Sequence, residues 1–109
     1  MIRAMDYGEG TFTKDTQKYT GRIVFDTKVH LVGESDYVET YIAPEAIALL
    51  RLRRGILEFT MSPSVVRAYT ARVRGSPGQM RRLARDLALR LGMRKRFLRS
   101  EWIGTPFTR

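Results

Sequence analysis

Apolar and polar residues alternate with period two through "GRIVFDTKVHLVG", where Ile23, Phe25, Thr27, Val29 and Leu31 fall on one side. Arg22, Asp26, Lys28 and His30 fall between them, so the pattern predicts a half-buried strand. Gly33-Glu34-Ser35-Asp36 reads as a turn, and "YVETYIA" alternates again, with Tyr37, Glu39 and Tyr41 against Val38, Thr40 and Ile42. The two runs predict an antiparallel hairpin. Upstream, "GTFTKDTQKYT" predicts an edge strand through Phe12, its polar middle forming a turn. "ILEFTM" alternates cleanly, with Leu57, Phe59 and Met61 against Ile56, Glu58 and Thr60, and predicts a further strand.

Two segments carry helical punctuation. In "APEAIALLRLRRG", Pro44 suits a first helical position, Glu45 meets the positive end of a dipole, Arg51, Arg53 and Arg54 meet its negative end, and Gly55 can take a left-handed stop. Ala46, Ile47, Leu49, Leu50 and Leu52 would wrap much of its circumference, making it the centre of the core. The second segment is bracketed by Ser76 as N-cap, Pro77 at the first position and Gly92 as stop. Its stripe is Met80, Leu83, Leu87 and Leu91 with Ala84 and Ala88, and Arg81, Arg82, Arg85 and Arg90 lie off it. Asp86 is four residues from both Arg82 and Arg90, so one carboxylate is expected to pair with two guanidiniums.

Between them, "SPSVVRAYTARVRG" reads either as a capped helix closed by Gly75 or as a turn into a strand. Its Val, Thr and Tyr content favours the strand. After Met93 the helical beat stops, and "RKRFLRSEWIGTPFTR" reads as a basic tail with interleaved aromatics. The expected fold is α+β: an antiparallel sheet of four to five strands, two helices on one face, and a basic C-terminal tail. Residues 1–93 form the single domain of that reading, and 94–109 the tail.

Charge sharpens the picture. Residues 1–50 hold five basic and eight acidic side chains, a net of −3, whereas residues 51–109 hold fifteen and three, a net of +12. All but one of those fifteen are arginine. Arginine forks onto phosphate oxygens and stacks on flat rings, which suits nucleic acid. A surface built only for solubility would mix its signs. The expected contacts to phosphate are Arg81, Arg82, Arg85, Arg90, Arg94, Lys95, Arg96 and Arg99, extended by Arg67, Arg72 and Arg74. Trp102 in the tail is the candidate for stacking on unpaired bases.

Other chemistry is thinly represented. The sequence has no cysteine, which excludes disulfides and thiolate chemistry, and its single histidine, His30, cannot build a histidine cluster. Asparagine is also absent and only Gln17 and Gln79 represent glutamine, a depletion typical of heat-adapted proteins. "VRGSPGQM" puts glycines beside a helix start and reads as punctuation rather than as a phosphate loop. The run "IVFDTK", with Asp15 upstream, resembles the PD-(D/E)xK nuclease signature. That resemblance implies Mg²⁺ held by Asp15 and Asp26, with Lys28 steadying the attacking water.

The leading expectation is a non-enzymatic nucleic-acid-binding protein, for RNA or DNA, or a basic subunit of a nucleoprotein assembly, with no cofactor and no metal. The first alternative is a structural subunit that self-assembles as a homo-oligomer through acidic N-terminal and basic C-terminal faces. A Mg²⁺-dependent nuclease ranks behind both. The apolar run from Ile42 to Leu50 is too short to span a bilayer, and the leucine stripe is better buried than laid on lipid, so no membrane partner is expected. The first residues lack a signal peptide's apolar centre, which points to the cytosol.

Overall fold

The computed structural model describes residues 4–33, 37–62, 70–96 and 100–104. Among the described residues nine strands form one antiparallel sheet: β1 Met5–Lys14, β2 Gln17–Phe25, β3 Val29–Val32, β4 Val38–Ile42, β5 Ile47–Arg53, β6 Ile56–Met61, β7 Thr70–Arg74, β8 Arg94–Lys95 and β9 Glu101–Ile103. The one α-helix among the described residues, α1 Pro77–Leu91, packs on it, and a short 3-10 turn spans Pro44–Ala46. The expectation of four to five strands under two helices is therefore corrected. The strand order is β4-β3-β2-β1-β7-β6-β5-β9-β8.

That order forces the sheet to curl. β4 and β5 stand first and seventh in it, yet only residues 43–46 join them. In a flat sheet six interstrand steps would separate them by roughly 29 Å. The five Cα steps of the link reach about 18 Å at most. Gly10 and Gly21 face one another across β1 and β2 where the sheet bends. A Cβ at either would come within 2.4 Å of a carbonyl oxygen, that of Arg74 or of Val32. Only glycine lets the neighbouring strands approach so closely.

The helix covers the concave face. Met80, Leu83, Ala84 and Leu87 are buried against Tyr7, Phe12, Ile23, Phe25, Leu50, Leu57, Phe59 and Val73 from the sheet. Its ends are built as the sequence indicates: the Ser76 side chain accepts from the Gln79 N–H, Pro77 follows, and Gly92 takes φ 61°. Among the described residues no helix is long and apolar enough to cross a membrane.

Three further expectations are corrected. Residues 44–54 are not a helix: Pro44 starts the 3-10 turn, and "IALLRLR" then runs as β5 between β6 and β9. A bulge between Ile47 and Leu49 breaks the strand's alternation, and the resulting apolar run mimics a helix buried all round. The stretch 21–33 is not one strand, because the chain turns at Asp26-Thr27-Lys28, where the Asp26 carboxylate accepts from the N–H groups of Thr27 and Lys28. β1 is central rather than an edge, lying between β2 and β7.

Within the segment expected as a tail, Arg94–Lys95 and Glu101–Ile103 join the sheet as β8 and β9, and 97–99 and 105–109 lie outside the described residues. Leu50 pairs with Trp102 and Arg51 with Glu101 across β5 and β9, and Lys95 pairs with Trp102 across β8 and β9. Residues 70–74 are strand, as the β-branched composition indicates; the remainder of the ambiguous segment, 63–69, lies outside the described residues.

Candidate nucleic-acid interface

The structure divides the arginines that the sequence groups together. On α1, Arg82 and Arg90 turn back onto the sheet. The Arg82 guanidinium lies 4.9 Å from the Tyr7 ring centroid and donates to the Asp6 carbonyl at 3.4 Å. Arg90 lies 4.4 Å from the Phe25 centroid and donates to the Asp26 carbonyl at 2.5 Å. Both clamp the helix to strands β1 and β2, a packing use of arginine.

A second group is used within the sheet. Register places Arg72 beside Glu58, Glu58 beside Arg51, and Arg51 beside Glu101 on its convex face. The contacts form a ladder of alternating sign across four strands, ending on Arg96 just past β8. Arg72 Nε lies 3.1 Å and Arg51 Nη1 3.7 Å from the Glu58 carboxylate. Arg51 Nε then reaches Glu101 at 2.9 Å. Arg96 closes the ladder at 3.3 Å from Glu101, an ion contact rather than an aligned hydrogen bond. Glu101 is buried, and charge alternation across neighbouring strands stabilises the register.

Trp102 is not a free stacking surface. Its side chain is half-buried and packs against the hydrophobic core, with the Lys95 ammonium 6.0 Å from its centroid. Arg94 and Lys95 are exposed on the edge strand β8. Arg67 and Arg99 lie outside the described residues.

Five arginines remain, and they share a corner. Arg53 pairs with Ile56 across β5 and β6, and Ile56 pairs with Arg74 across β6 and β7, so Arg53, Ile56 and Arg74 stand in one row on the convex face. Arg54 (φ 43°) and Gly55 (φ 80°) form the tight β5–β6 turn. That turn abuts the start of α1: the Gly75 N–H donates to the Gly55 carbonyl at 3.0 Å, and a Cβ on Gly55 would sit 3.5 Å from Pro77 Cγ. Arg81 and Arg85 follow Pro77 at successive four-residue steps along one ridge of the helix.

Arg53, Arg54, Arg74, Arg81 and Arg85 are all exposed, and none has an ion-pair partner among the described residues. No acidic residue occupies the first turn of α1, whose dipole adds positive potential there. A depression of about 480 Å³ runs from this row across β1 and β2, lined by Arg72, Arg74, Ile56, Lys18 and the hydroxyls of Thr11, Thr13 and Thr20. Sequence reasoning missed Arg53 and Arg54, taking them as charges at a helix C-terminus. The available signal was a glycine directly after "RLRR", which suits a strand turn equally well.

The nuclease pattern does not assemble. Asp15 sits at the β1–β2 turn and Asp26 just past the far end of β2, a nine-residue strand of roughly 30 Å. The described residues hold no group of three acidic or histidine side chains fit for a metal ion. Asp26 serves its turn instead. Partial burial opposes its ionisation, but hydrogen bonds from His30 (Nε2 at 2.7 Å) and from the Lys28 and Thr27 N–H groups outweigh it. Its carboxyl is held below the usual aspartate value. Family models, curated proteins and solved structures give no match to this chain.

Proposed function

We propose that the protein binds the phosphate backbone of nucleic acid through the corner formed by Arg53, Arg54, Arg74, Arg81 and Arg85. It acts as a binding protein or as a basic subunit of a nucleoprotein assembly rather than as a catalyst. The observation that carries this reading is the division among the arginines. Arg51, Arg72, Arg82, Arg90 and Arg96 are held by partners within the chain, whereas five others around the junction of the β5–β6 turn and α1 are exposed and without an acidic partner among the described residues. Guanidiniums gathered this way repel one another, and a polyanion relieves that repulsion while releasing its own counterions.

The chemistry is backbone recognition. Guanidinium forks grip phosphate oxygens, and the threonine hydroxyls along the adjoining depression can donate to further phosphates or sugars. Neither contact reads base identity, so a general binder is expected. The test is fluorescence anisotropy with labelled single-stranded and duplex oligonucleotides, using protein freed of bound nucleic acid at high salt. The parent binds at low salt, and an Arg81→Ala/Arg85→Ala variant binds at least about tenfold more weakly. Equal affinity of the two proteins would remove this corner as the site.

A further inference from the structure

We infer that a single strand of nucleic acid leaves the arginine corner and crosses the convex face of the sheet, over β6, β7 and β1, as far as Lys18 on β2. This path rests on the phosphate binding proposed above and gives that site its ligand class. Register lays out two parallel rows on the face. One runs Arg53, Ile56, Arg74, Thr11 and Thr20, and the other Arg51, Glu58, Arg72, Thr13 and Lys18. Between them along the strands, Leu57, Val73 and Phe12 are buried on the opposite, concave face, so both rows point outward.

The space between the rows is a trough. Two depressions lie along it, one between Arg51, Arg53 and Glu58 and the other between Arg74, Lys18 and the threonines, and Ile56 and Arg72 line both. Among the described residues five cationic side chains line the trough against one carboxylate, Glu58, which Arg51 and Arg72 already neutralise. Other carboxylates mark its margins: Asp15 lies beyond Thr13 and Arg72, and Glu9 beyond Thr20. A polyanion is attracted to the band between them and repelled on either side.

Curvature selects a flexible ligand. The trough crosses the strands, so it follows the direction in which the sheet curls. Six interstrand steps close over a link of about 18 Å at most, a bend of roughly a half-circle, and the four steps from β5 to β2 take about 120° of it. Those four steps measure about 19 Å along the surface. Duplex DNA stays nearly straight over about 150 base pairs, so it touches the corner and lifts away before Lys18. A single strand bends at every nucleotide and keeps its phosphates against the trough. Thr11, Thr13 and Thr20 then donate hydroxyl hydrogens to phosphate or sugar oxygens, and Lys18 supplies the last charge. Each phosphate held beyond the corner adds about −0.7 to the single-strand salt slope.

Fluorescence anisotropy with two labelled probes tests this path: an oligothymidylate, which forms no duplex, and a DNA hairpin duplex with the same number of phosphates. Lys18→Glu/Thr20→Glu, at two exposed positions, weakens single-strand binding at least about tenfold and leaves duplex binding within about twofold of the parent. The duplex probe thereby reports that the variant is folded and its corner intact. Lys18→Arg keeps the parent's affinity for the single strand, and Arg81→Ala/Arg85→Ala weakens the binding of both probes. Single-strand binding indifferent to Lys18→Glu/Thr20→Glu would overturn the path and leave the corner standing. Equal losses on the two probes would overturn it as well, because the effect would then follow net charge. A parent that binds neither probe would remove the corner, and the path with it.

Discussion

The Tyr7 hydroxyl on β1 donates to a carboxylate oxygen of Asp86 on α1 at 2.5 Å, tying together residues 79 apart in sequence. Local spacing assigns Asp86 to Arg82 and Arg90 on its own helix. The fold gives it the phenol instead and directs both arginines at the sheet. Tyr7 is 1% exposed, so its hydroxyl is costly to strand without a partner. Tyr7→Phe is expected to lower stability by about 1.5–3 kcal/mol, the usual range for a hydrogen bond to a charged group. Urea unfolding followed by tryptophan fluorescence would measure it.

The same pair predicts an alkaline limb. Burial first, and then the hydrogen bond to Asp86, raises the Tyr7 phenol far above its ordinary value of about 10. The folded state therefore holds this proton more tightly than the unfolded chain does. The contribution is full below about pH 10 and is lost as pH rises above it. Stability of the parent should fall above that pH, and Tyr7→Phe should fall less steeply.

Asp26 predicts the opposite limb. Its folded carboxyl lies below the ordinary aspartate value because the bonds from His30, Lys28 and Thr27 outweigh partial burial. Its stabilising contribution is present above the unfolded value and is lost as pH falls through the folded one. Asp26→Asn should flatten the acid side of the stability profile. An unchanged acid limb in that variant would show that the turn holds without the carboxylate.

How far such contacts are legible in sequence depends on their range. The caps at Ser76, Pro77 and Gly92, and the stripe from Met80 to Leu87, are local signals and appear where the pattern places them. Ile23 and Phe25, or Leu57, Phe59 and Met61, alternate inward because a half-buried strand imposes period two. β5 reads as a helix because Pro44 and Gly55 punctuate either element and a bulge between Ile47 and Leu49 breaks its alternation. β9 reads as a tail because three residues carry no period at all. What holds it is Glu101 between Arg51 and Arg96, a long-range relationship. The candidate interface is hidden for the same reason: the β5–β6 turn that carries Arg54 is brought to the start of the Arg81 helix only where Gly55 packs against Pro77.

Because β9 belongs to the sheet, ending the chain after Met93 should do more than remove charge. It uncovers one side of β5, takes Trp102 from the core, and leaves Arg51 with Glu58 alone. A loss of at least about 2 kcal/mol is expected from the apolar burial alone. Differential scanning calorimetry of the shortened chain gives the comparison, and a transition matching the parent would return residues 94–109 to the status of a tail. Leu87→Ala sets the scale for a full core position, at about 2–5 kcal/mol.

The remaining prediction separates the arginine corner from the basic edge strand. Each phosphate neutralised contributes roughly −0.9 to the slope of log K against log salt on duplex DNA, and roughly −0.7 on a single strand. Five contacts from Arg53, Arg54, Arg74, Arg81 and Arg85 therefore predict about −4.5 and −3.5. Removing Arg81 and Arg85 together should make the duplex slope shallower by about 1.8. Removing Arg94 and Lys95 together subtracts the same formal charge, but from the opposite side of Trp102 and away from the β5–β6 turn. That variant should keep nearly the parent slope, because counterion release counts phosphates in contact rather than net charge. Slopes that respond equally to both pairs would mean that binding follows overall charge. A slope altered only by the Arg94 and Lys95 pair would move the interface to β8, and the convergence at Gly55 and Pro77 would then be packing alone.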